Sequence, residues 1–277
     1  MASLSQKHLM RLAQEDEQHH DFQGAIENLE EALDLGHDSQ IVVELSKLYR
    51  KNKREDQAYD LIKGEPDLFS ESAIFMEYCQ VLAANNFFIE ALQLKNLIKE
   101  DLPVKVEPVS VEVQQKIMLS FRKKETVSQF DYQNLLKLDL VNFKNFAQSL
   151  LLDPAQNFAV RLAICEDLIR LGISDPIKIW VLGEQTDFIP RETDLLEKNP
   201  IYQEVISGIG DKFHNNPSQL PLMLGEANLV LGSIYPELNK YIKNTDSFTS
   251  DFVSYLINND GRGHQELLKK IYQNLPK

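Results

Sequence analysis

The stretch that decides the fold is Asp21–Gly36, "DFQGAIENLEEALDLG". Its apolar residues Phe22, Ala25, Ile26, Leu29, Ala32 and Leu33 are spaced by three, one, three, three and one. That spacing lines one face of an α-helix and leaves Glu27, Glu30, Glu31 and Asp34 on the other, as solvated carboxylates. Two alanines fall inside the face that must be buried. A small residue there lets a second helix come close, toward the lower end of the usual ~8–10 Å between axes. A neighbouring helix is therefore predicted to cross at Ala25.

The same arrangement returns downstream. "REDQAYDLIKGEP" carries Ala58 and "NNFFIEALQLKNLI" carries Ala91, at intervals of 33 residues. Upstream of each lies a second amphipathic segment: "SQKHLMRLAQEDEQ", "SQIVVELSKLYRKN" and "SESAIFMEYCQVLAAN". Their small residues Ala13, Ser46 and Cys79 are again 33 apart. Two small positions per unit, on successive helices, are what a tight antiparallel helix pair needs where its backbones meet. A period of this size with two helices per unit predicts a stacked solenoid.

These residues resemble the tetratricopeptide repeat family. Its consensus has a bulky residue, a Leu, a small residue and a Tyr on the first helix, then Ala, an aromatic or Leu, and Ala on the second. Unit one matches with Leu9, Leu12, Ala13, Ala25, Leu29 and Ala32, and unit two with Val42, Leu45, Ser46, Tyr49, Ala58 and Ile62. Unit three matches with Phe75, Cys79, Leu82 and Ala91. Asp16, Glu65 and Lys95 depart from the pattern, and the period is 33 against the usual ~34. The resemblance implies a concave surface lined by Lys7, Met10, Gln14 and Glu17 in unit one, Gln40, Val43, Lys47 and Arg50 in unit two, and Met76 and Gln80 in unit three. Members that clamp a peptide's terminal carboxylate use Lys and Asn where Met10, Gln14 and Lys47 stand here, and basic residues where Ala73 and Glu77 stand. That clamp is not expected.

The repeats are expected over residues 1–101, a linker over 102–110 and a helical domain over 111–277. "EDLPVKVEPVSVEV" holds two prolines and alternating valines, which interrupt helix. Beyond it, "NFAVRLAICEDLIRLG" spaces Phe158, Leu162, Cys165 and Ile169 on one face and ends at Gly172, a helix-terminating glycine. "SQLPLMLGEANLVLGSIYPEL" reads as a largely buried helix that stops before Pro236. "PIKIWVLGEQTDFIP" predicts a short hairpin near 177–189. Ile177, Ile179 and Val181 would lie on one face and Lys178, Trp180 and Leu182 on the other, with Gly183-Glu184-Gln185 turning the chain. The order of these features is similar to that in a group of bacterial cytosolic repeat proteins of the low-GC Gram-positive type. That similarity implies a helical C-terminal module and carries no site residues.

At 43% apolar and 26% charged residues, a chain of 277 residues has the profile of a folded protein, and its sparse Gly and Pro favour an all-α fold. The net charge of −13 is uneven. Residues 1–100 hold ten Lys+Arg against nineteen Asp+Glu, a balance of −9. "KLYRKNKR", Lys47–Arg54, is the only basic cluster there and is flanked by acid, so nucleic acid is not an expected partner. No window of 18 apolar residues and no signal-peptide pattern occurs, so a membrane is not expected either and a cytoplasmic location is. Cys79 and Cys165 lie in apolar stretches and are expected to be buried thiols.

No catalytic constellation stands out. His19 and His20 point about 100° apart on a helix and lack metal-ligand spacing. His8, His37, His214 and His264 are scattered, and "GIGDKF" and "DGRGH" lack the setting of a phosphate loop, so they read as turns or helix ends. No catalytic residue, metal or cofactor is expected. The expected function is a non-catalytic interaction module that holds a protein or extended peptide on the concave repeat surface. Lys47 and Arg50 would form a positive spot in an acidic surround, suited to a ligand carboxylate. Two alternatives remain: an enzyme or regulatory domain in 110–277 with the repeats as its docking arm, and a structural self-association module.

Overall fold

Ser3 opens helix α1 (Leu4–Gln18) with a capping box: its hydroxyl accepts from the Gln6 N–H, and the Gln6 side chain accepts from the Ser3 N–H. Asp21 caps α2 (Phe22–Asp34) by accepting from the Gly24 N–H, and Asp38 caps α3 (Ser39–Lys51) by accepting from Gln40. Then follow α4 (Glu55–Lys63), α5 (Ser72–Asn85) and α6 (Phe88–Ile98). The computed structural model describes residues 3–275. It is all-α apart from one two-stranded antiparallel hairpin. The second helices of the three pairs begin at residues 22, 55 and 88, so the interval of 33 is a property of the backbone.

The turns inside the pairs repeat as well. His20, Lys53 and Asn86 adopt left-handed φ values of 61, 58 and 57°. The next N–H groups, of Asp21, Arg54 and Phe87, donate back to the carbonyls of Asp16, Tyr49 and Leu82. Three identical C-terminal motifs thus turn three first helices into their second helices. The small positions are withdrawn from water: Ala25 and Ala58 are 0% exposed and Ala91 6%, opposite Ala13, Ser46 and Cys79.

Successive pairs are joined by buried carboxylates. Glu77 on α5, 3% exposed, accepts from Arg50 Nε and Nη2, each at 2.7 Å, and from the Ser46 hydroxyl at 2.9 Å. Glu90 on α6 accepts from the hydroxyls of Tyr59 and Tyr78 and from Lys63 Nζ, each at 2.6 Å. Both carboxylates thus take donors 27 and 31 residues earlier. The departures noted in the sequence have partners too: Glu65 accepts from His37 at 3.0 Å, Lys95 pairs with Asp101, and Asp16 accepts from Asn28.

Residues 102–110 carry no helix or strand, yet they are held against the third pair. The Asn86 amide donates to the Glu107 carbonyl, and the Val109 N–H to the Lys137 carbonyl. Helix α7 (Val111–Arg122), the short α8 (Gln129–Gln133) and a 3₁₀ turn at Asn134–Lys137 follow. Chain contacts divide the molecule at Leu140/Val141, so the compact unit built on the repeats extends beyond the expected linker and includes α7 and α8.

The second unit, Val141–Lys277, is helical around the hairpin. It holds nearly all of α9 (Leu140–Leu151), then α10 (Phe158–Arg170), β1 (Ile177–Val181) and β2 (Glu184–Phe188). After these come α11 (Pro200–Phe213), α12 (Leu220–Ile234), the short α13 (Leu238–Tyr241), α14 (Thr245–Asn258) and α15 (Gln265–Asn274). Gly172 closes α10 at φ 66°, with the Gly172 and Ile173 N–H groups donating to Ile169 and Leu168. "GIGDKF" is the C-terminal part of α11, and "DGRGH" is the turn leading into α15.

The hairpin corrects the sequence reading at its tip. Ile177, Ile179 and Val181 are buried on one face as expected, but the turn is Leu182-Gly183, and Glu184 and Gln185 already belong to β2. Both turn residues have positive φ, 46 and 81°, the geometry of a type I′ turn. Leu182 is 3% exposed and sits in the turn instead of on the strand face of Lys178 and Trp180. Burial of its side chain offsets the cost of that backbone conformation for a branched residue.

Two substitutions should act in opposite directions. Lys53→Gly relieves a left-handed residue at the second pair's turn and is expected to raise stability by about 1 kcal/mol. Ala58→Leu overpacks the helix crossing beside it and should lower stability by about 1–3 kcal/mol. Urea unfolding followed by circular dichroism reads both, and an Ala58→Leu protein as stable as wild type would contradict the close crossing.

Candidate functional site

The first helix pair has no equivalent of the buried ion pair that joins the next two. Glu44 stands one repeat before Glu77, and Ala13 and Glu17 stand one repeat before Ser46 and Arg50. A glutamate in place of the arginine cannot pair with Glu44, which is half-buried and bonds to Lys47 on its own helix at 2.8 Å. Glu17 turns to Lys51 instead. Beside this gap, between α1 and the start of α3, lies a cleft of about 520 Å³ lined by Lys7, Met10, Arg11, Gln14, Asp38, Ser39 and Gln40.

Four of the residues expected on the concave surface, Lys7, Met10, Gln14 and Gln40, therefore meet in one cleft. Arg11, Asp38 and Ser39 were not foreseen. Arg11 is one position from an expected residue and pairs with Glu15, while Asp38 and Ser39 are the cap and first residue of α3. The remaining expected residues lie outside the cleft lining. Val43 is buried, Gln80 is half-buried, and Met76 is 45% exposed.

The positive spot does not form as expected. Arg50 is held by Glu77 through two hydrogen bonds, and Lys47 is paired with Glu44. Reversing Arg50 would set two carboxylates against each other in a buried place, so it is a structural residue and not a free ligand contact. One sequence signal could have revealed this. Arg50 and Glu77 are 27 apart, as are Lys63 and Glu90, and in each case a hydroxyl lies 31 residues before the glutamate.

Chemistry elsewhere is sparse. His19 and His20 are exposed, and no group of three or more His, Cys, Asp or Glu that could hold a metal occurs among the described residues. No helix of the described residues is long and apolar enough to cross a membrane. Besides His37 with Glu65, the structure brings together a second histidine–carboxylate pair that the sequence left scattered: His264 Nδ1 lies 2.7 Å from the buried Asp251 carboxylate, with the ring edge-on to Phe248. This contact fastens the turn before α15 to α14.

Both cysteines are free thiols at 0% exposure. Burial pushes the Cys79 thiol up to about 11. It raises Cys165 as well, against the pull of the nearby Arg161 charge.

Comparison with family models, with curated proteins and with solved structures returns no match for this chain.

The thiols generate a direct expectation. At pH 8 only about one Cys79 in a thousand carries the reactive thiolate. A small disulfide reagent should label neither cysteine in the native protein within minutes and both at once in guanidinium. Rapid labelling without denaturant would contradict the packing described here.

Proposed function

We propose that the chain is a non-catalytic interaction module that holds an extended segment of another protein along the first helices of its repeats. The single observation that carries this reading is the cleft between α1 and α3, where Lys7, Met10, Gln14 and Gln40 meet. Its lining combines an apolar thioether, two amides and two cations with Asp38, a mixture suited to main-chain groups and short polar side chains. Stacked helix pairs present extended surfaces of this kind, lined by the first helix of each pair. In this reading the repeats are tetratricopeptide-like and the protein works in the cytoplasm, where unpaired thiols such as Cys79 and Cys165 persist.

Selection from a displayed library of linear peptides, followed by calorimetric titration of the best binder, tests the reading. Met10→Asp combined with Gln40→Arg should weaken binding at least tenfold and leave the thermal transition in place, because neither side chain belongs to the core. Lys116→Glu, on the exposed side of α7, should leave affinity unchanged. Equal affinity for wild type and the double variant would remove the cleft from consideration.

A further inference from the structure

Helix α15 joins the second unit through a tight turn. Asn259 ends α14 with φ 56°, and Arg262 follows with φ 45°. The buried Gly261 between them has no room for a side chain, since a Cβ there would stand 2.9 Å from the Gln265 Cα. Left-handed backbone is mild for asparagine and costly for arginine. The closed turn is therefore strained.

What the turn holds in place is small. Leu268 and Ile271 are the buried residues of α15, both at 0% exposure. The Tyr272 hydroxyl donates to Glu226 on α12 at 2.7 Å, the Tyr272 ring stacks on Tyr255 of α14, and His264 meets Asp251. None of these contacts depends on which copy of the chain supplies α15. A terminal helix on a short, strained connection is the arrangement that invites exchange between copies.

The turn is also complementary to itself. Asp260 and Arg262 are both exposed. Among the described residues the Asp260 carboxylate accepts from the Arg262 N–H alone, and the Arg262 guanidinium has no partner. When two opened turns run antiparallel past a two-fold axis at Gly261, Asp260 of each copy falls opposite Arg262 of the other. Gly261, without a side chain, lets the two backbones approach at the axis.

We infer that the chain pairs with a second copy of itself by exchanging α15, with residues 259–264 opening into a crossing hinge held by two Asp260–Arg262 ion pairs. Each copy then supplies the Tyr272 that meets the other's Glu226 and Tyr255, and buries its Leu268 and Ile271 in the other's core. Opening relieves the left-handed backbone at Arg262 in both copies and leaves the contacts of α15 unchanged in kind. The exchange is confined to the second unit and does not depend on the repeat cleft.

Size exclusion with light scattering, on the full chain incubated at rising concentration, tests the exchange. Wild type should give a dimer whose share grows with concentration. Asp260→Arg and Arg262→Asp should each stay monomeric alone and dimerise when mixed, because only the mixed pair has opposite charges at both crossings. Gly261→Ala crowds the closed turn and should raise the association constant about tenfold. In a mixture of isotope-labelled and unlabelled wild-type chains, filtered NMR should show a contact between copies from the Tyr255 ring to the Tyr272 ring. A wild type that is monomeric at every concentration, charge variants that do not dimerise on mixing, or a dimer without that tyrosine contact would overturn the proposal.

Discussion

A buried carboxylate must find donors or lose its charge, and Glu77 and Glu90 turn that requirement into architecture. Each is nearly sealed from water and accepts a cation and a hydroxyl from the preceding helix pair, Glu90 taking a further hydroxyl from Tyr78 of its own pair. Removing a donor leaves an uncompensated buried charge, a cost of several kcal/mol, so successive pairs are kept at one spacing and rotation. Apolar packing at Ala25, Ala58 and Ala91 decides how close the helices of a pair come. The carboxylates decide how one pair sits on the next.

Where that device is absent, the surface opens. Glu17 occupies the position that Arg50 and its guanidinium fill one repeat later, and Glu44 turns to Lys47 for its partner. The cleft between α1 and the start of α3 lies beside this missing contact. The buried ion pair between the second and third pairs and the cleft at the first thus follow one rule about where charge can be buried. Sealing the later pairs consumes Arg50 and Lys63, which leaves the cations of α1, Lys7 and Arg11, to line the cleft.

Much of the repeat unit was legible because its signals are local and repeated. Spacing of apolar and small residues gave three helix pairs, and the structure places their turns at the same interval. The cleft was half legible: Lys7, Met10, Gln14 and Gln40 follow from helix phase, whereas Asp38 and Ser39 enter through the cap of α3. Arg50 was misread because exposure of a basic residue depends on a partner 27 residues away, on another helix. Leu182 was misread because nothing in a leucine announces a left-handed turn. The extent of the first unit was hidden because residues 102–110 are fixed by main-chain carbonyls, which every sequence carries.

The most direct measurement is a double-mutant cycle on the buried pair, with Arg50→Ala, Glu77→Ala and the two combined, unfolded in urea and followed by circular dichroism. Each single change should be costly, and the double should be less costly than their sum by at least about 1 kcal/mol, since either change alone strands the other charge. Additivity within about 0.3 kcal/mol would mean that Glu77 and Arg50 do not hold the second helix pair to the third.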